Sequence, residues 1–231
     1  MTNHAIDAPS RPDRSVAMLL SAVVGLLLPI IAGVWSAQAQ PASSNRILVM
    51  GDSLSAGYGM AASQGWVALL DRRLQSQHSG WRAVNASISG DTTAGGASRI
   101  VNALRQHRPQ VVVIELGAND ALRGLPLAQT RRNLAYMIGA AHGAGAQVLL
   151  IGMQMPPNLG MHYTSEFAQG YADLSARFGT ALLPFLLQPI AANRSHFQDD
   201  NLHPTPAAQP AIRDHVWPAL QPLLQHSTTR Q

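Results

Sequence analysis

The sequence predicts an α/β fold: an open, parallel, five-stranded sheet covered by helices on both faces. Three observations carry that expectation. Short apolar runs rich in β-branched residues alternate with longer segments of helical periodicity. The runs are apolar nearly throughout, which fits strands buried from two sides. No internal repeat, low-complexity tract or linker to a second domain interrupts the alternation.

Arg46–Met50 (RILVM) is the first strand and stops at Gly51. Trp66–Leu74 carries apolar residues at helical spacing. Arg82–Ser87 is the second strand, and Ala97–His107 is a helix punctuated by Pro109. Val111–Leu116 (VVVIEL) is the clearest strand and closes at Gly117. Leu127–His142 is a helix stopped by Gly143 and Gly145. Gln147–Met153 is the fourth strand, and Ser165–Phe178 the next helix. Ala181–Leu187 is a fifth strand interrupted by Pro184, which assigns it to an edge. Pro206–Leu224 is a last helix, bent near Pro210 and Pro218.

Composition removes whole classes of chemistry. The 231 residues contain no cysteine, so thiol nucleophiles, disulfides and cysteine-ligated metals are excluded. All 16 basic residues are arginine. Without lysine there is no Schiff base and no Walker-type phosphate lysine. The net charge of +4 comes from scattered arginines, single or paired (Arg72-Arg73, Arg131-Arg132). No dense basic stripe marks a nucleic-acid partner, and none is expected. Histidines never pair at i, i+4 and no H-E-x-x-H occurs, so no metal is expected.

The N-terminus reads as an address. Arg11 and Arg14 precede an apolar run from Val16 to Trp35, followed by Ser36-Ala37-Gln38-Ala39. This is the pattern of a secretory signal peptide over 1–39, cut after Ala39, with the functional domain over 40–231. The competing reading is an uncleaved membrane anchor. Either exports the body of the chain, to the periplasm or beyond. After cleavage, no stable membrane insertion is expected, and a monomer is the expectation.

In open parallel sheets, ligands sit beyond the carboxyl ends of the strands. Small polar turns stand at those ends: Gly51-Asp52-Ser53-Leu54-Ser55, then Ile88-Ser89-Gly90-Asp91, then Gly117-Ala118-Asn119-Asp120. Asp199-Asp200-Asn201-Leu202-His203-Pro204 precedes the last helix. Ser53 is a hydroxyl at a strand-to-helix turn, with Gly51 expected to let the backbone bend tightly. A serine becomes a nucleophile when a base takes its proton. His203 is the candidate base, and Asp200, three residues earlier, the carboxylate that fixes its tautomer. The backbone N–H groups of Ser53 and Gly90 and the side-chain amide of Asn119 are candidate oxyanion donors. Gly90 is expected to matter because it has no side chain to block approach. Asp52 is expected to order the turn through backbone hydrogen bonds. Met155, Leu159 and Met161 follow the fourth strand on the same rim and are candidates to line an acyl groove.

These blocks resemble the SGNH (GDSL-type) hydrolases, whose name lists their Ser, Gly, Asn and His blocks. The match comprises Gly-Asp-Ser-Leu at 51–54, Asn85-Ala86-Ser87-Ile88-Ser89-Gly90-Asp91-Thr92, Gly117-x-Asn119-Asp120 and Asp200-x-x-His203-Pro204. The likeness runs from about residue 45 to about residue 224. It implies a three-layer, flavodoxin-like α/β/α sandwich with strand order 2-1-3-4-5. It also implies Ser53 as nucleophile, His203 as base and Asp200 as its partner. Ser53, Gly90 and Asn119 would form the oxyanion hole. No cofactor or metal is implied. The longer strings GDSLSAGYG at 51–59 and NASISGDT at 85–92 resemble a subgroup of exported bacterial esterases, which implies lysophospholipid, aryl or alkyl ester, or acyl thioester substrates. Two alternatives stand beside this reading. One is a carbohydrate O-deacetylase of the same superfamily, which would want aromatic platforms at the site. Trp66 and Trp81 read as core instead. The other is a non-catalytic exported binding protein.

Overall fold

The computed structural model describes residues 45–78 and 80–225. The signal-peptide reading of 1–39 lies outside the described residues. Five strands form one parallel sheet: β1 (Asn45–Gly51), β2 (Trp81–Asn85), β3 (Val111–Glu115), β4 (Gln147–Ile151) and β5 (Ala181–Leu183). Their order is β2-β1-β3-β4-β5, as the resemblance implied. The connecting helices are α1 (Ser53–Ala56), α2 (Trp66–Gln77), α3 (Thr93–His107), α4 (Ala118–Leu122), α5 (Leu127–Gly143), α6 (Met161–Phe178) and α7 (Gln209–Gln225).

The order reverses direction between β1 and β3, and that reversal sorts the helices into layers. A right-handed crossover from β1 to β2 puts α2 on one face, and those running back through β3, β4 and β5 put α3, α5 and α6 on the other. Packing agrees: α2 lies beside α7, and α3, α5 and α6 pack in series. The two central strands are sealed from both sides. Ile47 to Met50 and Val111 to Ile114 are completely buried, each such aliphatic side chain stabilising the fold by about 1.5–3 kcal/mol. Trp66 and Trp81 are core residues.

The structure departs from the sequence expectation at element ends. α3 starts at Thr93, four residues ahead of Ala97, because Gly95-Gly96 belongs to the helix. Thr92 caps it by accepting from Gly95 N. Gly96 is there for room, since a Cβ would fall 2.3 Å from Leu116 Cδ1. α6 likewise starts early, at Met161. β5 stops at Leu183, before Pro184, and the following Phe185 and Leu187 leave the sheet. It lies at the edge, where Pro184 assigned it. α7 runs through Pro218 and Pro222, while Pro210 sits in its first turn, where a missing N–H breaks no helical bond. α1 and α4 occupy segments that read as loops.

Among the described residues, no helix is long and apolar enough to cross a membrane. Gly152, just past β4, is packed against backbone. Its N–H donates to Leu183 O at 2.8 Å, and its carbonyl accepts from Leu186 N at 3.2 Å. A Cβ there would lie 2.5 Å from Pro184 O. Gly152→Ala should therefore lower stability by about 1–3 kcal/mol, read as a lower urea midpoint with unchanged slope.

Candidate active site

The site is assembled where the strands end. Ser53 opens α1, two residues after β1, and the register sets Gly51 opposite Glu115 of β3. Gly51 is still strand, so its role is not the tight bend that the sequence suggested. A Cβ at Gly51 would lie 2.7 Å from Ser55 Cβ and 2.8 Å from Glu115 Oε2. The glycine is required for space.

Asp52 is 1 % exposed and caps α1, accepting from Leu54 N at 3.0 Å. Its second oxygen accepts from Asn119 Nδ2 at 3.1 Å, beyond the backbone role expected of it. One N–H of the Asn119 amide is thereby held, and the other is left for a different acceptor. Burial pushes the Asp52 carboxyl up to about 6. Beneath it, fully buried Glu115 accepts from Ser55 Oγ at 2.7 Å and Asp52 N at 3.4 Å. Burial first, then the charge of Asp52, holds Glu115 well above the usual carboxylate range.

The second strand end supplies Gly90, whose φ of 79° lies in the left-handed region. Its nearest neighbour to an added Cβ is Arg123 Nη2 at 3.7 Å, an ordinary contact. Backbone conformation therefore demands glycine here, and clearance from the protein's own atoms does not. Arg123 Nη2 donates to Gly90 O at 2.8 Å, and the Asp91–Arg99 ion pair at 2.7 Å fixes the next residue. Asp120, buried beside Asn119, accepts from Thr93 N at 2.8 Å and also from the Thr93 and Thr130 hydroxyls. α4 is thus tied to the start of α3, which fixes Asn119 relative to the Gly90 turn.

The histidine arrives from far along the chain. Asp200 Oδ1 accepts from Leu202 N at 2.9 Å and His203 N at 3.0 Å, a closed turn with Asn201 at φ 59°. Gln198 N donates to His203 O at 2.8 Å, and Phe197 bridges Pro204. His203 Nδ1 lies 2.6 Å from Asp200 Oδ2, and His203 Nε2 lies 2.8 Å from Ser53 Oγ. The His203 backbone N–H leads the interactions that hold the Asp200 carboxyl down at about 2. The Tyr58 ring rests 4.4 Å from the imidazole, centroid to centroid.

Ser53, Gly90, Asn119 and His203 all face one cavity of about 490 Å³, within the range of small-molecule sites. Leu122, Met153, Met155, Phe185 and Leu187 make much of its wall apolar. Met155 is therefore where the sequence expected it. Leu159 and Met161 are not: neither lines the cavity, and Met161 is 81 % exposed. The 3₁₀ turn Pro157–Leu159 and Gly160, at φ 95°, lead the chain outward into α6. Sequence reasoning also missed Phe185 and Leu187, which carry no motif, and gave Tyr58 no role although it lies within the Gly-Asp-Ser-Leu-Ser-Ala-Gly-Tyr-Gly string at 51–59. Glu115 did leave a signal, as a lone charge inside an apolar strand. Among the described residues, no group of three or more His, Asp or Glu side chains is placed to hold a metal ion.

Comparison with known proteins places this arrangement. The model of the GDSL-like lipase/acylhydrolase family matches residues 49–210. The chain is 46% identical over 208 residues to esterase TesA of Pseudomonas aeruginosa, covering 90% of this chain and 99% of that protein. It is 42% identical over 187 residues to thioesterase 1/protease 1/lysophospholipase L1 of Escherichia coli, covering 81% of this chain and 88% of that one. The crystal structure of psychrotrophic esterase EstA from Pseudoalteromonas sp., inhibited by monoethylphosphonate, superposes with a TM-score of 0.75 at 37% identity. That match covers 79% of this chain and 100% of EstA. With a matching family model over most of its length and relatives of this closeness, the chain belongs to the GDSL-like lipase/acylhydrolase family.

Proposed function

We propose that this chain hydrolyses carboxylic esters and thioesters through an acyl-enzyme on Ser53. The observation that carries the reading is the unbroken run Asp200–His203–Ser53, with contacts of 2.6 and 2.8 Å, at the edge of an apolar cavity. Ser53 Oγ attacks the substrate carbonyl carbon as His203 Nε2 takes its proton. Asp200 keeps the Nδ1 proton in place and stabilises the imidazolium. The tetrahedral oxyanion accepts from Ser53 N–H, Gly90 N–H and the Asn119 amide. Collapse expels an alcohol or thiol, which takes the proton from His203. Water, activated by the same imidazole, then releases the acid.

The cavity wall supports an acyl group as the buried part of the substrate. Met153 and Met155 give it adaptable surface, and Phe185 and Leu187 give it shape. Relatives named as esterase, thioesterase and lysophospholipase fit the same reading. Lysophospholipids and aryl or alkyl esters are the proposed substrates. We further infer that 1–39 is an export signal and 40–231 the hydrolase domain, on the strength of Arg11, Arg14, the apolar run and the Ala37-Gln38-Ala39 end. An exported enzyme meets phospholipid breakdown products, whereas acyl-CoA is cytosolic. Thioester cleavage is then a capability of the site more than its duty.

Turnover of a p-nitrophenyl ester panel tests the chemistry. Ser53→Ala should cost about 10⁴-fold or more in kcat, and Asn119→Ala about 10²–10³-fold. Undiminished turnover by Ser53→Ala would refute the assignment. Asp52 gives a pH test with a definite sign. Its carboxyl titrates near 6 in the folded chain against 3.8 ordinarily, so the native state keeps a proton that the unfolded chain has lost. Stability therefore falls as pH rises from 3.8 through about 6. Asp52→Asn removes that decline, and from about pH 4 to pH 7 its stability should gain on wild type by about 2–3 kcal/mol in urea titrations. Export predicts an intact mass for secreted protein that begins at Gln40. Retention of 1–39 would favour the anchor.

A further inference from the structure

Six of the seven large apolar side chains left in water among the described residues are gathered on one edge of the hydrolase body. The seven are Tyr58, Ile88, Leu122, Tyr136, Leu159, Met161 and Leu202. Tyr136 lies on α5. The other six lie on segments that follow the carboxyl ends of β1 to β4, or beside His203. In a parallel sheet these ends share one side. Contacts join the segments to each other. The Arg123–Gly90 bond connects the turns bearing Leu122 and Ile88. Tyr163 Oη, 3.5 Å from Ala121 O, connects the start of α6 to α4. Tyr58 packs against His203 at a tilt, next to Leu202. Tyr58, Leu122 and Leu202 also line the cavity, so apolar surface continues from its interior over its lip. Single exposed hydrophobic residues need no explanation, but six around one opening do.

Charge on this edge selects the occupant. Arg123 is exposed on the lip, and among the described residues no carboxylate lies within ion-pair distance of it. Asp200 is committed to His203, and in the same loop exposed Asp199 is offset by exposed Arg194. A cation on an apolar rim matches a lipid surface, where the stem meets acyl chains and the head meets phosphate.

We propose that the rim of Tyr58, Ile88, Leu122, Leu159, Met161 and Leu202 docks on the phosphate-bearing surface of a lipid aggregate, with Arg123 at a headgroup. This rests on the acyl-ester reading above and says how a poorly soluble substrate reaches Ser53. A single ester molecule passes from the aggregate along apolar surface into the cavity, without full hydration of its chain. Leu159 and Met161, outside the cavity in the structure, acquire a role at this surface.

The test separates docking from turnover. Ser53→Ala protein is mixed with phosphatidylcholine–phosphatidylglycerol vesicles and floated on a density gradient. It should float, and adding Leu159→Asp with Met161→Asp should weaken binding about tenfold or more. With Ser53 intact, the Leu159→Asp/Met161→Asp protein should keep full turnover of soluble p-nitrophenyl acetate, which also reports its folding. On micellar lysophosphatidylcholine it should lose about tenfold in rate, as partition onto the aggregate falls. No flotation, or equal flotation of the rim variant, overturns the docking surface. So does a dimer that dissociates in the rim variant without vesicle binding, which would assign the rim to a second copy. If wild type turns over the soluble ester but Ser53→Ala does not float, docking fails and the hydrolase stands. If the protein floats but cleaves no ester, the hydrolase reading fails and the surface stands.

Discussion

The site rests on the close approach of β1 to β3 at Gly51. With Glu115 directly opposite and Ser55 folding back above it, no side chain fits at that position. The approach lets Glu115 reach the Ser55 hydroxyl and the Asp52 N–H, which pins both ends of the short turn carrying Ser53. Asp52, fixed in this way, holds Asn119 from the next strand end. Position therefore passes from the sheet to the turn and from the turn to a candidate oxyanion donor. Sealed central strands underlie all of it, since interiors packed at crystal density transmit such constraints with little slack.

Three carboxylates in this region show how environment decides charge. Asp52 and Glu115 both accept hydrogen bonds that favour the ionised form, yet burial outweighs those bonds in each. At Asp200 the balance runs the other way. It is exposed, and the two backbone N–H groups and the imidazole that it accepts from outweigh its desolvation. The carboxylate beside the imidazole sits where water and donors favour charge. The two that brace the turn sit where ionisation is costly.

Much of this was legible in the sequence, for identifiable reasons. Buried strands advertise themselves as apolar runs, and polar turns at strand ends mark the rim in any open parallel sheet. Ser53, Gly90, Asn119, Asp200 and His203 were singled out as candidates by residue type and position together, and the structure brings them to one rim. What failed was local detail that tertiary packing overrides. The helix was expected only from Ala97, yet it includes Gly95-Gly96, where Gly96 packs against Leu116 and Met137 with no room for a Cβ. Gly51 was expected to bend the chain and is a spacer, and the left-handed backbone that Gly90 supplies left no mark in the sequence. The direction of the chain after β4 was also hidden. A run of Met, Pro and Leu does not say which members turn inward, and the answer lay in a positive-φ glycine at 160.

The proline that ends β5 has an effect beyond shortening a strand. An outer strand displays unpaired amide and carbonyl groups, and a long flat one is a template on which another chain can add. Here the β5 border offers three residues before a ring with no N–H to give. That border is a poor seed for intermolecular sheet growth, so a chain with so apolar a centre is guarded against fibril-like self-association on the side where the guard is cheapest.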